Sequence, residues 1–124
     1  MKIKKVFLGF FVLISLPLMA FAKTTFSFEG KHFNAQITYG CEEGNLTCDK
    51  VLLKSVSLKD GSFIVLKGKT INTHCPDVCD FKGYEFSNKT FNYAFYPSTK
   101  GEDLWDYIVT KRDKVIAHDV GTMK

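Results

Sequence analysis

Four cysteines stand as two pairs, Cys41-x6-Cys48 and Cys75-x3-Cys79, and no other residue type in the chain offers as much chemistry. As thiolates the four could hold a zinc ion. Cys75 and Cys79 alone could exchange electrons, and all four oxidised would make two disulfides. Intervals of six and three residues depart from the short CxxC knuckles of zinc sites and from the CxxC redox motif, and no βαβ pattern surrounds them. An even cysteine count in an exported chain predicts disulfides at Cys41, Cys48, Cys75 and Cys79. Of the three pairings, the local ones are favoured. Cys41–Cys48 would clip the mouth of a hairpin, and Cys75–Cys79 would lock a tight turn. A crossed pairing such as Cys48–Cys75, tying the ends of the central hairpin, is the alternative.

The remaining chemistry is sparse. His32, His74 and His118 are far apart and none sits in a metal-ligand pattern. His74 would join Cys79 on a metal only if the thiols were free. His118 is expected on a sheet surface, opposite Tyr107. Glu42-Glu43 are adjacent loop acids, and Asp77 suits a turn cap after Pro76. No GxSxG elbow and no glycine-rich phosphate loop occurs. The expectation is a chain with no catalytic residues, no metal and no cofactor.

The export inference rests on residues 1–22. A basic opening, Met1-Lys2-Ile3-Lys4-Lys5, is followed by an apolar run to Leu16, then Pro17 and the small-x-small site Ala20-Phe21-Ala22. That order is a secretory leader, and the run is shorter than the ~20 residues of a spanning helix. Cleavage after Ala22 would leave 124 − 22 = 102 residues, one β domain over residues 23–124, in the periplasm or secreted. Three lysines leave with the leader, so the remaining balance is 14 − 13 = +1, with Arg112 the single arginine. A nucleic-acid reader would show a clustered, arginine-rich face, so nucleic acid is not an expected partner. Membrane contact is expected only through the export segment.

The elements that must position these residues read as strands. Phe26 and Phe28, then Phe33, Ala35, Ile37 and Tyr39, alternate with period two about a turn at Glu29-Gly30. Residues 51–58 form the next strand, and Asp60-Gly61 predicts a type I′ turn that would set Leu58 against Phe63 and Val56 against Val65. One face of that hairpin is then wholly apolar and the other carries Ser55 and Ser57, which suits a sheet packed on one side. A turn at Asn88-Lys89 would pair Phe86 with Phe91 and Tyr84 with Tyr93. A last hairpin runs over residues 104–110 and 115–119 about Lys111-Arg112-Asp113-Lys114. Helical candidates are a single turn at 76–79 and a short piece near 102–106. Repeated hairpins predict an all-β fold, a small antiparallel sandwich or barrel built as a meander.

Tyr39-Gly40-Cys41-Glu42-Glu43-Gly44 resembles the Tyr-x-Cys opening of the C-type lysozyme inhibitor family. Leader, short β chain, two disulfides and missing catalytic motif together are similar in class to small periplasmic lysozyme inhibitors and to immunity proteins against cell-wall hydrolases. The family's later Ser-x-x-Ser-Gly-x-x-Tyr inhibitory loop has no counterpart in this chain, so no inhibitory residue is carried over. The resemblance implies a protein partner, a cell-wall hydrolase or toxin. The expected contacts are Glu42, Glu43 and Asn45 on the first cystine loop, and Tyr96, Lys100, Glu102 and Asp103 around the loop 97–103. Trp105 and Tyr107 join them if that strand's face is uncovered. Self-association into a homodimer, a structural role at the cell surface through exposed strand edges, and a small envelope hydrolase are the competing expectations.

Overall fold

A computed structural model describes residues 24–42 and 44–124; the leader expected over 1–22, and Glu43, lie outside the described residues. Eight strands follow one another in chain order: β1 (Thr24–Gly30), β2 (Phe33–Tyr39), β3 (Val51–Ser57), β4 (Phe63–Thr73), β5 (Asp80–Asn88), β6 (Phe91–Pro97), β7 (Leu104–Lys111) and β8 (Lys114–Met123). Each pairs antiparallel with the next, and β8 returns to β1, so the sheet is a closed barrel. The seam is short: Phe28 faces Met123, Glu29 faces Thr122 and Gly30 faces Gly121, extended by reciprocal bonds between Ser27 and Lys124.

Period-two alternation puts one residue set inside, and that set fills the barrel. Phe95 and Tyr107 stack at 4.1 Å and 10°, with Phe28 edge-on to both and Phe86 edge-on to Phe95. Large side chains sit opposite small ones, as a narrow barrel needs: Phe28 faces Ala35, Trp105 faces Gly121, and Phe86 faces Gly68. A Cβ at Gly68 would run into the Phe86 ring. Tyr107 crosses the interior to hydrogen-bond Ser55 Oγ at 2.8 Å, satisfying a buried hydroxyl on each side. Burial pushes the Tyr107 phenol up to about 12, against the lowering effect of the Ser55 bond.

Asp119 latches the seam. It is 2% exposed, and its carboxylate accepts from the backbone N–H groups of Lys31, His32 and Phe33 and of its own neighbour Val120. A carboxylate accepting several N–H bonds replaces the water it lost on burial. The β1–β2 turn is thereby tied to β8 across the shortest ladder in the barrel.

Three registers differ from the sequence expectation. In the β3–β4 hairpin, Val56 faces Phe63 and Leu53 faces Leu66, a slip of two residues. The turn is longer than a type I′ pair: Ser57 donates to the Ser62 carbonyl, Gly61 donates to the Ser57 carbonyl, and Asp60 caps Ser62. Parity survives a slip of two, but the packed face is the opposite one. Val51, Leu53 and Ser55 are buried, whereas Leu52, Leu58, Phe63 and Val65 are exposed. In the β5–β6 hairpin, Phe86 faces Tyr93 and Tyr84 faces Phe95, about a two-residue turn at 89–90. In the β7–β8 hairpin, Lys111 faces Lys114, so the turn is Arg112-Asp113, both at positive φ (51° and 68°). A bulge beside Val109 then offsets β8, and His118 faces Ile108 rather than Tyr107. Neither helical candidate forms a helix: residues 76–78 are turn, and 104–106 open β7.

Candidate functional site

An up-and-down meander sends alternate connections to opposite ends. The loops 40–50, 74–79 and 98–103 share one end, and both disulfides lie there: Cys41–Cys48, and Cys75–Cys79 beside the cis Cys75–Pro76 bond. The local pairing favoured from the sequence is the one that forms.

Asn72, near the end of β4, joins the two cystine loops. Its side-chain amide donates to the carbonyls of Leu46 in one loop and Cys79 in the other, at 3.0 and 3.1 Å, while its oxygen accepts from Thr70 Oγ1. Thr70 Oγ1 in turn accepts from Cys48 N, and Thr70 N donates to the Cys48 carbonyl. Two covalent clips and one amide hold three chain segments in a single arrangement. Between the first loop and the outer faces of β4 and β5 lies an open groove of about 870 Å³, lined among others by Glu42, Asn45, Lys50, Lys69 and Glu85. Lys69 and Glu85, cross-strand partners on β4 and β5, approach to 3.6 Å along its side.

Apolar side chains crown this end. Leu46 is 64% exposed, Val78 58% and Phe81 45%. Beneath them the mouth is closed by aromatics: Trp105 stacks on Tyr84 at 6.0 Å, and Phe81 is edge-on to Tyr84 at 5.1 Å. Burial, with a smaller contribution from Tyr39, holds the Tyr84 phenol above its ordinary range. The chemistry offered is shape, apolar surface and carboxylates.

The residues singled out from the sequence divide accordingly. Glu42, Asn45, Lys100, Glu102 and Asp103 are exposed at this end, with the Asn45 carbonyl accepting from Tyr39 Oη. Trp105 is half-buried in the mouth, and Tyr96 is half-buried on the outer face of β6 against Gly83. Tyr107 is a correction. At 1% exposed, stacked on Phe95 and bonded to Ser55, it is a core residue and offers no contact to a partner. The same parity turns Trp105 and Val109 inward, so this face of β7 is the barrel lining and not an uncovered patch. The metal alternative at His74 is closed as well: Cys79 sulfur is bonded to Cys75, and His74 Nδ1 lies 3.3 Å from Asp80. His118 is exposed as expected, and its Nε2 is 3.0 Å from Asp106.

Sequence reasoning missed Asn72, Leu46 and Val78. Val78 carried a readable signal: an apolar residue within a three-residue cystine turn cannot reach a core. Asn72 carried none, because its partners are carbonyls 26 and 7 residues away. Comparison of the chain with family models, with curated proteins and with solved structures finds no match in any of the three.

Proposed function

We propose that this chain is an exported binding protein that grips a protein partner with its cystine end, as an inhibitor or immunity protein acting on an envelope-targeting enzyme. The carrying observation is the Asn72 junction. Two disulfide-clipped loops held together by one half-buried amide form a preorganised surface, and a surface that is already ordered loses little entropy on docking. Its composition supports the reading: Leu46, Val78 and Phe81 supply apolar anchors, and Glu42, Asp77, Glu102 and Asp103 supply a negative rim. Such a rim suits a basic partner, whose encounter it would accelerate. Barrel closure weakens the rival structural role, because among the described residues every strand has a neighbour on both sides, and only the stretches beyond the short β1–β8 seam stay unpaired.

The test is capture from an envelope extract with the chain of residues 23–124, followed by assay of the captured enzyme with and without added chain. Capture of one cell-wall-degrading enzyme, its inhibition by the added chain, and loss of both on Leu46→Ser with Val78→Ser are expected. Equal capture by the variant with its disulfides intact, or unchanged enzyme activity, would refute the reading.

A further inference from the structure

The end opposite the cystines carries a different chemistry. Four hairpin connections lie there, two-residue turns at 31–32, 89–90 and 112–113 and the five-residue loop 58–62, and they brace one another in pairs. Leu58 N donates to the His32 carbonyl at 2.9 Å, and Arg112 N donates to the Thr90 carbonyl at 3.0 Å. Four apolar side chains stand out from this platform: Leu58 (49% exposed), Phe63 (62%), Val115 (60%) and Ile116 (53%). Phe63 and Ile116 come from different hairpins and line the same shallow mouth, about 230 Å³ in volume. Ile116 is there because the β8 bulge beside Val109 leaves it without a cross-strand partner.

Cations surround these tips. Over residues 31–32, 58–62, 89–90 and 111–114 the basic residues are Lys31, Lys59, Lys89, Lys111, Arg112 and Lys114, against Asp60 and Asp113: 6 − 2 = +4. The described residues of the loops 40–50, 74–79 and 98–103 carry five acids against Lys50 and Lys100: 2 − 5 = −3. Among the described residues none of the six tip cations has an acidic partner within 4 Å. Asp60 turns its carboxylate onto Ser62. Lys54 reaches up to lie over the Phe63 ring at 5.3 Å, adding a further cation beside the apolar points.

We propose that the hairpin end docks on an anionic phospholipid bilayer, with Leu58, Phe63, Val115 and Ile116 entering the interface and the surrounding lysines meeting lipid phosphates. Uncompensated cations around exposed apolar side chains match the two attractions of an anionic interface, charge and apolar burial. The apolar residues are separate convex points on different hairpins, and a fluid interface accepts such points without a complementary shape. This orientation would turn the acidic cystine end away from the membrane. It extends the sequence expectation, which confined membrane contact to the export segment, and it stands whether or not the cystine end binds an enzyme.

The test uses the closed barrel of residues 23–124, which contains every strand of the described residues and lacks the expected leader, whose apolar run would itself bind lipid. Its partitioning is measured onto phosphatidylcholine vesicles with and without phosphatidylglycerol. Binding only to the anionic vesicles, weakened by salt, is expected. Lys59→Gln, Lys89→Gln and Lys114→Gln together should lower partitioning by about 100-fold, at roughly fivefold per cation near an anionic surface. Because these positions are exposed, circular dichroism and melting should match the parent chain. Brominated lipid reports the orientation: added emission from Phe63→Trp should be quenched, and the native Trp105 at the far end should not. The proposal is overturned by absence of binding to anionic vesicles, by binding indifferent to the three substitutions, or by quenching of Trp105 with Phe63→Trp spared. It is equally overturned if the tips prove to bury against a second copy, seen as self-association without lipid that Phe63→Ser with Ile116→Ser abolishes.

Discussion

Replacing Asp119 by asparagine changes almost no volume and tests whether one carboxylate holds the barrel shut. Oδ1 accepts from Lys31 N at 3.1 Å and Val120 N at 2.9 Å; Oδ2 accepts from His32 N at 2.9 Å and Phe33 N at 3.0 Å. An asparagine retains one acceptor and turns the other into an NH2, which faces two N–H donors. At least two charge-assisted bonds are lost, each with a net value near 1.5 kcal/mol, so the cost is about 3 kcal/mol. For a domain of this size, total stability is on the order of 5–15 kcal/mol, and each kcal/mol is worth about 5 °C in Tm. A fall of about 15 °C is therefore expected in thermal melts, with a lower urea midpoint at constant slope. In amide spectra the largest changes should fall on Lys31, His32 and Phe33. Asp103→Asn, an exposed change of the same kind, should leave stability within ~0.5 kcal/mol. A loss under ~1 kcal/mol for Asp119→Asn, with the three turn amides unmoved, would refute the latch.

Other outcomes follow from the same structure. The Tyr107 phenol is raised from 10.0 to about 12, so between these values the folded chain keeps a proton that the unfolded chain has released. Stability from this group is complete below pH ~10 and is lost as pH rises to about 12, roughly 2–3 kcal/mol in all. Urea titrations across that range should show the fall, and Tyr107→Phe should flatten it while costing ~1–2 kcal/mol at neutral pH through the unpaired Ser55 hydroxyl. Replacing Cys41 and Cys48 together by serine frees a loop of sequence separation 7 and should cost about 2.5 kcal/mol by loop closure, measured by denaturation. Asn72→Ala should speed amide exchange in both cystine loops at once; acceleration in only one would show that they are independent.

The barrel's strands were legible because the alternation of Phe26 to Tyr39 and of Tyr84 to Phe95 is a local property of the chain. Both disulfides were legible for the same reason, since each closes within a few residues. Which face of the β3–β4 hairpin is buried was not. Leu52, Val56, Phe63 and Val65 make the stripe expected inside, but Lys54 and Lys67 share its face and would have to be buried with it. Inside a narrow barrel the opposite stripe wins, because Ser55 finds the Tyr107 hydroxyl and Gly68 makes room for Phe86. These partners belong to β7 and β5, and no window on the hairpin contains them. The registers failed through turn chemistry: Asp60-Gly61 carries the familiar type I′ signal but sits in a longer, side-chain-capped loop, while Arg112-Asp113 forms the tight turn without any glycine. At the cystine end the acidic loops were visible as composition, whereas the Asn72 junction that makes them one surface exists only in three dimensions.

The Arg112-Asp113 turn has a consequence for engineering. Two side-chain-bearing residues occupy left-handed backbone where Asn-Gly would sit with less strain, so Arg112→Asn with Asp113→Gly should tighten the hairpin and raise its melting point. The same exchange removes one guanidinium and one carboxylate from the apex, so the charge over the hairpin turns stays at 5 − 1 = +4. Thermal robustness can thus be raised at one pair of neighbouring residues without lowering the positive charge of that end.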